Sequence, residues 1–342
     1  MTEVKDSSRV KRVFDSCEPF NHLACKRCPG LPPGLEDVMI SSILTAYREP
    51  RTVGVAIKAL LEQDWPEAYE ILVVCPDEET ARVVQIFTDC YPQVKRLVDQ
   101  GQGKPSALNL AFSQVRGRIC VFTDGDVVIQ EGAISALLAP FADPRCGAVT
   151  GRPVSASPRT SMLGYWSHLL TDAGAHSMRS HRARQLQYLD CSGYLYAARS
   201  ELLSPLPPET LADDAFISQL IWQQGYGIAY APEARVAVRY PTTYRDWLLQ
   251  KVRSSTGAAQ TPQPLRTDNK KYVRPPEYMR SLKREALAGF RSALTYPQTS
   301  RERWWTWCLF LARIHLWLCV WAELHLKHRS YQDIWQRVET TK

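Results

Sequence analysis

The stretch VFTDGDVVI (residues 121–129) places two aspartates, separated by one glycine, directly after an apolar run. Val121 and Phe122 indicate the end of a buried strand, so Asp124 and Asp126 lie where that strand leaves the core. Two carboxylates this close repel each other unless positive charge lies beside them. A divalent cation would supply it, because hard cations bind carboxylate oxygens and share their remaining positions with phosphates and water. A solvated turn is the plainer alternative, since Asp and Gly are common turn residues.

Apolar strands alternate with amphipathic helices on the N-terminal side of this stretch. The segments VMISSILTAY, EILVVCP, VKRLVD and RICVFTD predict strands, and TVGVAIKALLEQ, ETARVVQIFTDCY and SALNLAFSQV between them predict helices. Strands of unbroken apolar character separated by helices are typical of a mostly parallel sheet. We therefore expect an α/β fold in which ligands bind beyond the carboxyl ends of the strands. Those ends place Thr45–Glu49, Asp77 and Asp124–Asp126 along one edge of the sheet.

The alternation becomes looser beyond residue 150. TSMLGYWSHLLTDAGAHSM and DDAFISQLIWQQG predict helices, LQYLDCSGYLYAAR predicts a strand through a glycine, and GIAYAPEARVAVRYP predicts a pair of strands. TTYRDWLLQKVRSSTGAAQ predicts a helix capped by Thr242 or Thr243.

Three further groups of polar residues could carry chemistry. Lys104 lies in a glycine-rich loop before a helix, where a lysine can reach a phosphate and Asn109 can bond in the same cleft. Asp213 and Asp214 open another predicted helix, so they serve either as helix caps or as a general base. A solvated helix start is the alternative for Lys104.

Gln250 and its neighbour three residues on, Arg253, share one face of the last helix of this region. Their plainer reading is a solvated polar face. In order, the motifs ILTAYREP, ILVVCPDEET, GKPSALN, VFTDGD, CSGYLYAAR, LADDAFIS, YAPEARV and PTTYRDWLLQKVR span about residues 38–260. This series resembles the inverting family 2 glycosyltransferases, including the catalytic domains of cellulose and hyaluronan synthases.

The resemblance implies a GT-A fold, a mostly parallel sheet flanked by helices and followed here by a helical C-terminal tail. It also implies a nucleotide-diphosphate sugar donor, either UDP- or GDP-linked, and Mn²⁺ or Mg²⁺ as cofactor. By matching position, it implies that the nucleotide and donor are bound by Thr45, Tyr47, Glu49, Asp77, Lys104, Asn109 and Asp124.

The same resemblance assigns the metal and the acceptor side of the site. Asp126, together with Asp124, matches the metal-binding motif, and Asp214 matches the catalytic base. The residues matched to the donor sugar and the acceptor are Ser192, Gly193, Asp213, Gln250 and Arg253. Asp214 would then take a proton from an acceptor hydroxyl, which attacks the anomeric carbon opposite the diphosphate.

The sequence departs from the family pattern in three places. Asp213 replaces the usual Glu, and VCPDEE replaces an Asp-Asp-x-Ser run, which leaves the position of Asp77 in doubt. Ser254 stands where processive synthases carry a Trp after Gln-x-x-Arg. That Trp stacks on the acceptor sugar, so its absence favours non-processive transfer to a glycan or a lipid-linked acceptor.

The positive charge of the chain is concentrated at its C-terminal end. Residues 266–342 hold 15 Lys and Arg against 7 Asp and Glu, while residues 1–265 hold 27 against 28. Residues 277–290 predict a basic amphipathic helix, suited to an anionic bilayer or to packing on the body. Residues 304–326 are rich in Trp but broken by Arg313, His315 and Glu323. They fit a monotopic membrane contact, a membrane span, or a soluble core or homo-oligomer interface.

The N-terminal end lacks the apolar core of a signal peptide. We therefore expect a protein on the cytoplasmic face of the membrane, or alternatively soluble in the cytoplasm, with no nucleic-acid partner. The predicted domains are an arm (1–36), a GT-A glycosyltransferase domain (37–265) and a basic, Trp-rich membrane-associating tail (266–342). The arm contains a candidate structural zinc group of Cys17, His22, Cys25 and Cys28, although incidental cysteines on a flexible arm are the simpler reading.

Two other functions compete with sugar transfer. CVFTDGDVV imitates the first motif of a HAD-type phosphatase with Asp124 as nucleophile, and ADD imitates its last motif. That chemistry needs a lysine between the two motifs, and the sequence has none between Lys104 and Lys251. A non-enzymatic, membrane-associated binding protein is the other alternative, if Asp214 or the metal site is defective.

Overall fold

The computed structural model describes residues 40–259 and 290–325. Its strands are β1 (Ile40–Thr45), β2 (Tyr69–Val74), β3 (Val94–Leu97), β4 (Ile119–Asp124), β5 (Val127–Ile129), β6 (Cys146–Ser155), β7 (Leu195–Arg199) and β8 (Gly227–Val238). Its α-helices are α1 (Val53–Leu61), α2 (Glu78–Cys90), α3 (Lys104–Phe112), α4 (Ala133–Leu138), α5 (Met162–Leu169), α6 (Ser177–Arg184), α7 (Asp213–Gln223), α8 (Tyr244–Ala259) and α9 (Ser300–His325). A π-helix (Leu170–His176) joins α5 to α6, and residues 290–295 are also helical.

All eight strands belong to one sheet, in the order β3-β2-β1-β4-β7-β6-β8-β5. β1 pairs in parallel with both β2 and β4, and Thr45 lies level with Val74 on one side and Asp124 on the other. The carboxyl ends of the three strands therefore meet at one edge, as the sequence predicts. β7 runs antiparallel to β4 and joins this parallel half to β6 and β8.

Helices cover both faces of the sheet because successive strand residues point to opposite sides. In β1, Leu44 packs with residues of α1 and α2, while Ile43 packs with residues of α3 and α7. Both side chains are fully buried. The unbroken apolar strands of the sequence thus correspond to strands buried on both faces, which explains why they lack polar alternation.

Two predicted strand regions differ from the structure. Residues 227–238 form one long strand instead of the predicted pair, because β8 pairs with β6 along its whole length, through a register shift near Thr150, and with β5 on its other edge at Val236–Val238. The predicted strand over residues 186–199 is confined to β7, since the residues before it form a connecting segment. The capping prediction for α8 is confirmed at Thr243, whose Oγ1 accepts a hydrogen bond from the N–H of Asp246.

The helix α9 packs on α5 and α8 through one of its faces. Trp166 Nε1 donates to the carbonyl of Trp305 at 2.7 Å, and Arg159 forms a two-pronged ion pair with Glu302. The buried residues of α9 are Trp305, Leu309, Ala312, Leu316 and Val320. Within the described residues, α9 is therefore part of the body of the molecule and does not extend away from it.

The opposite face of α9 is apolar and exposed. It carries Trp304, Trp307, Leu311, Ile314, Trp317, Leu318 and Trp321, each more than half exposed. By length and composition alone, residues 300–323 are the one stretch of the described chain that could cross a membrane, and a single stretch of this kind is weak evidence for a span. The predicted amphipathic helix at 277–290 lies, except for its last residue, outside the described residues.

A buried carboxylate ties the parallel strands together at the edge opposite the aspartates. Glu70 on β2 has a fully buried side chain, and its Oε1 accepts hydrogen bonds from Ser41 Oγ (2.8 Å) and from the N–H of Arg116 (3.1 Å). Its Oε2 accepts from the guanidinium of Arg116 and from Lys95 Nζ at 3.2 Å. Burial alone would raise the pKa of Glu70, but these donors lower it, so the buried group stays ionised.

Neutralising this carboxylate is expected to destabilise the fold. Glu70→Gln would weaken several charge-assisted hydrogen bonds, so we expect the free energy of unfolding to fall by about 1–3 kcal/mol. The matched control is Glu62→Gln, because Glu62 forms an exposed pair with Lys58. Exposed pairs are worth about 0–1 kcal/mol. Urea denaturation of both variants measures the difference, and equal unfolding midpoints would contradict the stabilising role of Glu70.

Candidate active site

The two aspartates of the opening stretch lie on a tight turn between β4 and β5. The N–H of Gly125 donates to the carbonyl of Thr45 at 2.9 Å, which holds the turn against the end of β1. A Cβ on Gly125 would lie 2.5 Å from Glu49 Oε2 and 2.8 Å from the Cβ of Ala46. Glycine is therefore required here by a close approach of the Glu49 side chain, which is itself buried. The predicted neighbour relation between the first-strand motif and the acidic turn is present.

Lys104 joins two carboxylates that are distant in the sequence. Its Nζ lies 2.9 Å from Asp124 Oδ1 and 3.4 Å from Asp213 Oδ2. Burial alone would lower the pKa of Lys104, but Asp124 and Asp213 raise it above its usual value, so the ammonium stays charged. The lysine begins α3 directly after Gly103, whose φ of +104° is a conformation that favours glycine. The conformation of the glycine-rich loop thus orients the side chain of Lys104.

Asp214 lies in the first turn of α7, next to Asp213. Its Oδ2 accepts a 2.7 Å hydrogen bond from the N–H of Gly193, and its Oδ1 accepts one from the N–H of Ala215. Burial, and then the charge of Asp213, raise the pKa of Asp214 to about 7, while Lys104 lowers it. Asp190 adds a smaller upward effect. A carboxyl group that titrates near neutrality has the acid–base strength that general base catalysis needs.

The segment Ser192–Tyr194 connects the aspartate turn to Asp214. The N–H of Ser192 donates to Thr150 Oγ1 at 2.9 Å, and Thr123 Oγ1 donates to the carbonyl of Tyr194 at 3.0 Å. A Cβ on Gly193 would lie 3.2 Å from Asp214 Oδ2, so a glycine allows the close approach. Ser192 and Gly193, predicted to lie beside the donor sugar, are thus held next to the candidate base.

Tyr194 is a site residue that the sequence motifs did not single out. Burial, followed by the charges of Asp126 and Asp124, raises the pKa of its phenol, and Arg253 opposes the rise. The ring therefore lies within electrostatic reach of the acidic turn on one side and of α8 on the other. Its position directly after the Ser-Gly pair was the available signal, but an aromatic at a strand start is usually part of the core.

The predicted first-strand residues surround the end of β1. Thr45 Oγ1 donates to Asp124 Oδ1 at 3.2 Å, and the guanidinium of Arg48 lies over the ring of Tyr47. The backbone N–H of Arg48 donates to Asp77 Oδ2 at 2.7 Å, in a left-handed conformation with a φ of +54°. Such a φ is uncommon for a residue other than glycine. Asp77 thus helps to hold this turn in place.

Asp77 also has a structural role at the start of α2. Its Oδ1 caps the helix by accepting from the N–H of Thr80 at 2.9 Å. Burial would raise the pKa of Asp77, but the N–H groups of Arg48 and Thr80 lower it. Both carboxylate oxygens are therefore engaged by the protein's own donors.

Asp99, at the same sheet edge, was missed by the sequence analysis. Its Oδ2 accepts from the N–H of Gly101, while its Oδ1 is buried and has no hydrogen-bond partner in the described part of the chain. Burial raises the pKa of this carboxyl group. An Asp at the end of a short strand resembles ordinary turn chemistry in the sequence, which is why only the structure reveals its unused oxygen.

Asn109 does not occupy the predicted position in the nucleotide cleft. Its side-chain Nδ2 donates to the carbonyl of Leu206, and its Oδ1 accepts from the N–H of Leu206. The amide group thus fixes the segment before α7, and both of its ends are engaged there. An Asn one turn into a helix looks the same in sequence whether it binds a ligand or a neighbouring loop.

The predicted acceptor residues of α8 lie near the same groove. Gln250 Oε1 is buried and has no hydrogen-bond partner within residues 40–259 and 290–325. Arg253 lies close enough to Tyr194 to influence its pKa. Ser254, at the position of the Trp of processive synthases, is exposed and donates to the carbonyl of Lys251. It presents no aromatic surface for a sugar to stack on.

The acidic turn offers carboxylate ligands for a divalent cation. The described residues contain no group of three or more His, Cys, Asp or Glu placed to hold a metal on their own. Asp124 and Asp126 supply hard oxygen ligands, and Mg²⁺ is often held by one or two carboxylates together with substrate phosphates. The donor set therefore fits a cation that is completed by a diphosphate. Cys17, His22, Cys25 and Cys28 lie outside the described residues.

A comparison with known sequence families identifies the family of the chain. The pattern of the glycosyltransferase-like family 2 matches residues 38–274, which is more than half of the chain. The chain belongs to this family. The predicted family membership is confirmed, and the HAD-type phosphatase alternative has no support.

Curated relatives of this family 2 chain are bacterial enzymes. It is 24% identical over 229 residues to the probable glycosyltransferase YdaM of Bacillus subtilis, covering 64% of this chain and 54% of that protein. It is 24% identical over 224 residues to a poly-beta-1,6-N-acetyl-D-glucosamine synthase of Staphylococcus epidermidis, with the same coverage of each chain. The chain thus spans about half the length of these relatives.

A solved structure shares the fold of this family 2 chain. The mannosyltransferase PcManGT from Pyrobaculum calidifontis, in complex with GDP-Man and Mn²⁺, superposes with a TM-score of 0.62 at 19% identity. The alignment covers 94% of each chain. The predicted GT-A fold, a mostly parallel sheet flanked by helices with a helical C-terminal part, is confirmed.

The link between Lys104 and the candidate base can be tested without any substrate. Lys104→Met removes the cation that lowers the pKa of Asp214, so we expect that pKa to rise above about 7. Carboxyl ¹³C NMR during a pH titration measures it. Lys58→Met, on the exposed surface of α1, is the control and should leave the value unchanged. An Asp214 pKa that falls or stays constant in Lys104→Met would contradict this coupling.

Proposed function

We propose that the chain transfers a sugar from a UDP- or GDP-sugar to an acceptor hydroxyl, with inversion at the anomeric carbon. The observation that carries this proposal is the chain of contacts from the acidic turn to the candidate base. Lys104 links Asp124 to Asp213, and the next residue, Asp214, is held by Gly193. The reaction needs a positive charge that holds the diphosphate and, beside it, a carboxyl group whose pKa lies near neutrality. Lys104 and Asp214 would supply these two parts.

The donor diphosphate is proposed to lie over the acidic turn. Asp126 and Asp124 would hold Mn²⁺ or Mg²⁺, which when bound stabilises the negative charge of the leaving diphosphate. The similar mannosyltransferase structure contains GDP-Man and Mn²⁺, which supports this choice. Lys104 adds a fixed positive charge next to the same carboxylate. The hydrogen bond from the N–H of Gly125 to the carbonyl of Thr45 keeps the turn in place.

The nucleotide is proposed to bind at the ends of the parallel strands. Thr45 and Tyr47 follow β1, and the carboxylates of Asp77 and Asp99 follow β2 and β3. Uracil and guanine both present ring N–H donors, which a carboxylate oxygen can accept. The buried Oδ1 of Asp99 has no partner in the described part of the chain, so it adds a candidate contact to the predicted set.

Asp214 is proposed to be the catalytic base. Its carboxylate would accept the proton of the acceptor hydroxyl while that oxygen forms its bond to the anomeric carbon. The bond from this carbon to the diphosphate oxygen breaks on the opposite face, which inverts the configuration. Ser192 and Gly193 would lie beside the donor sugar, and Asp213, Gln250 and Arg253 would complete the region where the donor sugar and the acceptor meet.

The acceptor is proposed to be a glycan or a lipid-linked molecule that receives one or a few sugars. Ser254 is exposed and offers no ring to the acceptor, whereas the processive members of the family are expected to have Trp there. This difference removes one contact that retains a growing polymer. Non-processive transfer by a domain near residues 37–265 is the simplest consequence.

The exposed face of α9 is proposed to lie on the cytoplasmic surface of a membrane. It carries four tryptophans, and Trp is enriched at membrane–water interfaces. Arg301, Arg303 and Arg313 are exposed on the same helix, which suits anionic lipids. The other face of α9 is already packed on α5 and α8, so an in-plane position requires no unfolding of the body.

Removal of the base is the direct test of the transfer reaction. In Asp214→Asn we expect kcat to fall by about 10²–10⁴, the usual contribution of general base catalysis. In the unmodified protein, activity should rise with pH through about 7, as Asp214 loses its proton. Released UDP or GDP and glycosylated product are measured with Mn²⁺ and a panel of nucleotide sugars.

The control for this test is Asp89→Asn, which changes an exposed carboxylate on α2. It should retain normal turnover. Near-normal turnover in Asp214→Asn would rule out this residue as the base. Absence of donor binding and of turnover in the unmodified protein would instead favour the non-enzymatic alternative.

The membrane proposal is tested by changing only exposed side chains of α9. Trp307→Ser, Leu311→Ser and Trp317→Ser in one chain leave the buried face intact, so the body should stay folded. We expect sedimentation with anionic vesicles to be lost while donor binding is retained. Undiminished sedimentation of the triple variant would exclude this face as the anchor, and a smaller oligomer by light scattering would favour the homo-oligomer interface.

A further inference from the structure

Three arginines come together where the π-helix and α6 lie against β6 and β8. The pairing of β6 with β8 places Arg152 opposite Arg235. The π-helix brings His176 to Tyr230, with Nδ1 and the phenol oxygen 2.8 Å apart. Arg179, from the first turn of α6, is near enough to influence the pKa of the same phenol. The cluster thus combines residues from four separate elements, and π-helical turns occur frequently at functional sites.

Two of these arginines have buried donors that the protein leaves unused. Nε of Arg152 and Nε of Arg179 are each shielded from water and make no hydrogen bond to any described residue. A buried donor on a charged group costs free energy when it has no acceptor. In folded proteins most such donors are paired with a protein group, an ordered water or an ion.

The nearby carboxylates of Asp172 and Glu233 do not fully neutralise the three arginines. Asp172 is within 3.3 Å of Arg152 Nη2, but its other oxygen accepts from the phenol of Tyr296. Glu233, which pairs with Arg235, has a largely exposed side chain, so water screens it. Burial, and then the charge of Arg152, lower the pKa of His176, so the imidazole is a neutral donor or acceptor at pH 7.

This cluster adjoins the segment that holds the candidate base. Arg179 is close enough to Cys191 and to Tyr240 to influence both. Cys191 directly precedes Ser192 and Gly193, and Gly193 binds Asp214. The ring of Tyr240 lies 6.3 Å from that of Tyr194, which in turn is near the acidic turn.

The register of β6 and β8 also places the arginine cluster next to the segment that binds the candidate base. Thr150, which accepts the N–H of Ser192, pairs with Tyr230 across β6 and β8. Tyr230 in turn contacts His176. The positive cluster therefore adjoins the segment that binds the candidate base, which the acceptor hydroxyl must reach, and it uses none of the residues proposed for the donor diphosphate.

We infer that Arg152, Arg179 and Arg235 form a subsite for a phosphate group carried by the acceptor. The inference rests on the proposed transfer reaction and adds the chemical class of its acceptor. Arginine forks bind phosphate oxygens in pairs and at fixed angles. The unused donors come from β6 and α6, two separate elements. A tetrahedral phosphate offers them different oxygens, whereas a planar carboxylate offers only two.

The test compares binding of n-decyl phosphate with binding of n-decyl glucoside, which has the same chain without the charge. Calorimetry on the full chain measures both, and UDP and GDP with Mn²⁺ are titrated separately. We expect n-decyl phosphate to bind more tightly than the glucoside. Arg179→Gln should weaken n-decyl phosphate by about 10-fold or more, the loss expected for a charge-assisted hydrogen bond. Nucleotide binding should stay unchanged.

Two control variants accompany Arg179→Gln. Arg145→Gln removes a largely exposed arginine at the start of β6, and it should bind n-decyl phosphate normally. Arg152→Lys keeps the charge but loses the fork, so it should show a smaller loss than Arg179→Gln. Intact nucleotide binding in each variant demonstrates that the chain is folded.

Equal affinity of n-decyl phosphate for the unmodified protein and for Arg179→Gln would overturn the inference. Inorganic phosphate that binds as tightly as n-decyl phosphate, with the same dependence on Arg179, would assign the subsite to free phosphate and overturn the acceptor assignment. Failure of UDP and GDP to bind the unmodified protein would count against the transfer reaction. The arginine dependence of n-decyl phosphate would still show whether the anion subsite exists.

Discussion

The ammonium group of Lys104 lies between carboxylates that are almost ninety residues apart in the chain, those of Asp124 and Asp213. Without a cation between them, the end of β4 and the start of α7 would bring like charges together at the mouth of one cleft. With it, the two elements are held at a fixed separation. Lys104 also lowers the pKa of Asp214, the residue after Asp213, and so opposes the increase that burial causes.

The rest of the candidate site depends on how the sheet presents these charges. Parallel pairing of β1 with β2 and β4 places Thr45, Val74 and Asp124 at one level. The antiparallel strand β7 then begins directly after the segment that binds Asp214. A single sheet thus positions both the acidic turn, at the end of β4, and the candidate base, beside the start of β7.

The second half of the chain adds two surfaces to this common scaffold. Packing of α9 on α5 and α8 leaves a Trp-rich face outward, so the same helix packs on the body and exposes an apolar surface. The π-helix turns the chain so that His176 reaches Tyr230 and Asp172 reaches Arg152.

Local patterns in the sequence were sufficient for the alternating strands and helices up to Asp124, for the acidic turn and for the family, because burial on both faces and turn chemistry leave a direct mark on neighbouring residues. They did not predict β5, α4 or β6. They were insufficient for Asn109, whose amide binds Leu206 instead of the cleft, and for Asp99 and Tyr194. They also did not predict the arginine cluster, or that the expected pair of strands would be the single strand β8. Each of these depends on contacts between distant residues, and only the packed chain determines which polar groups find partners and which remain unused.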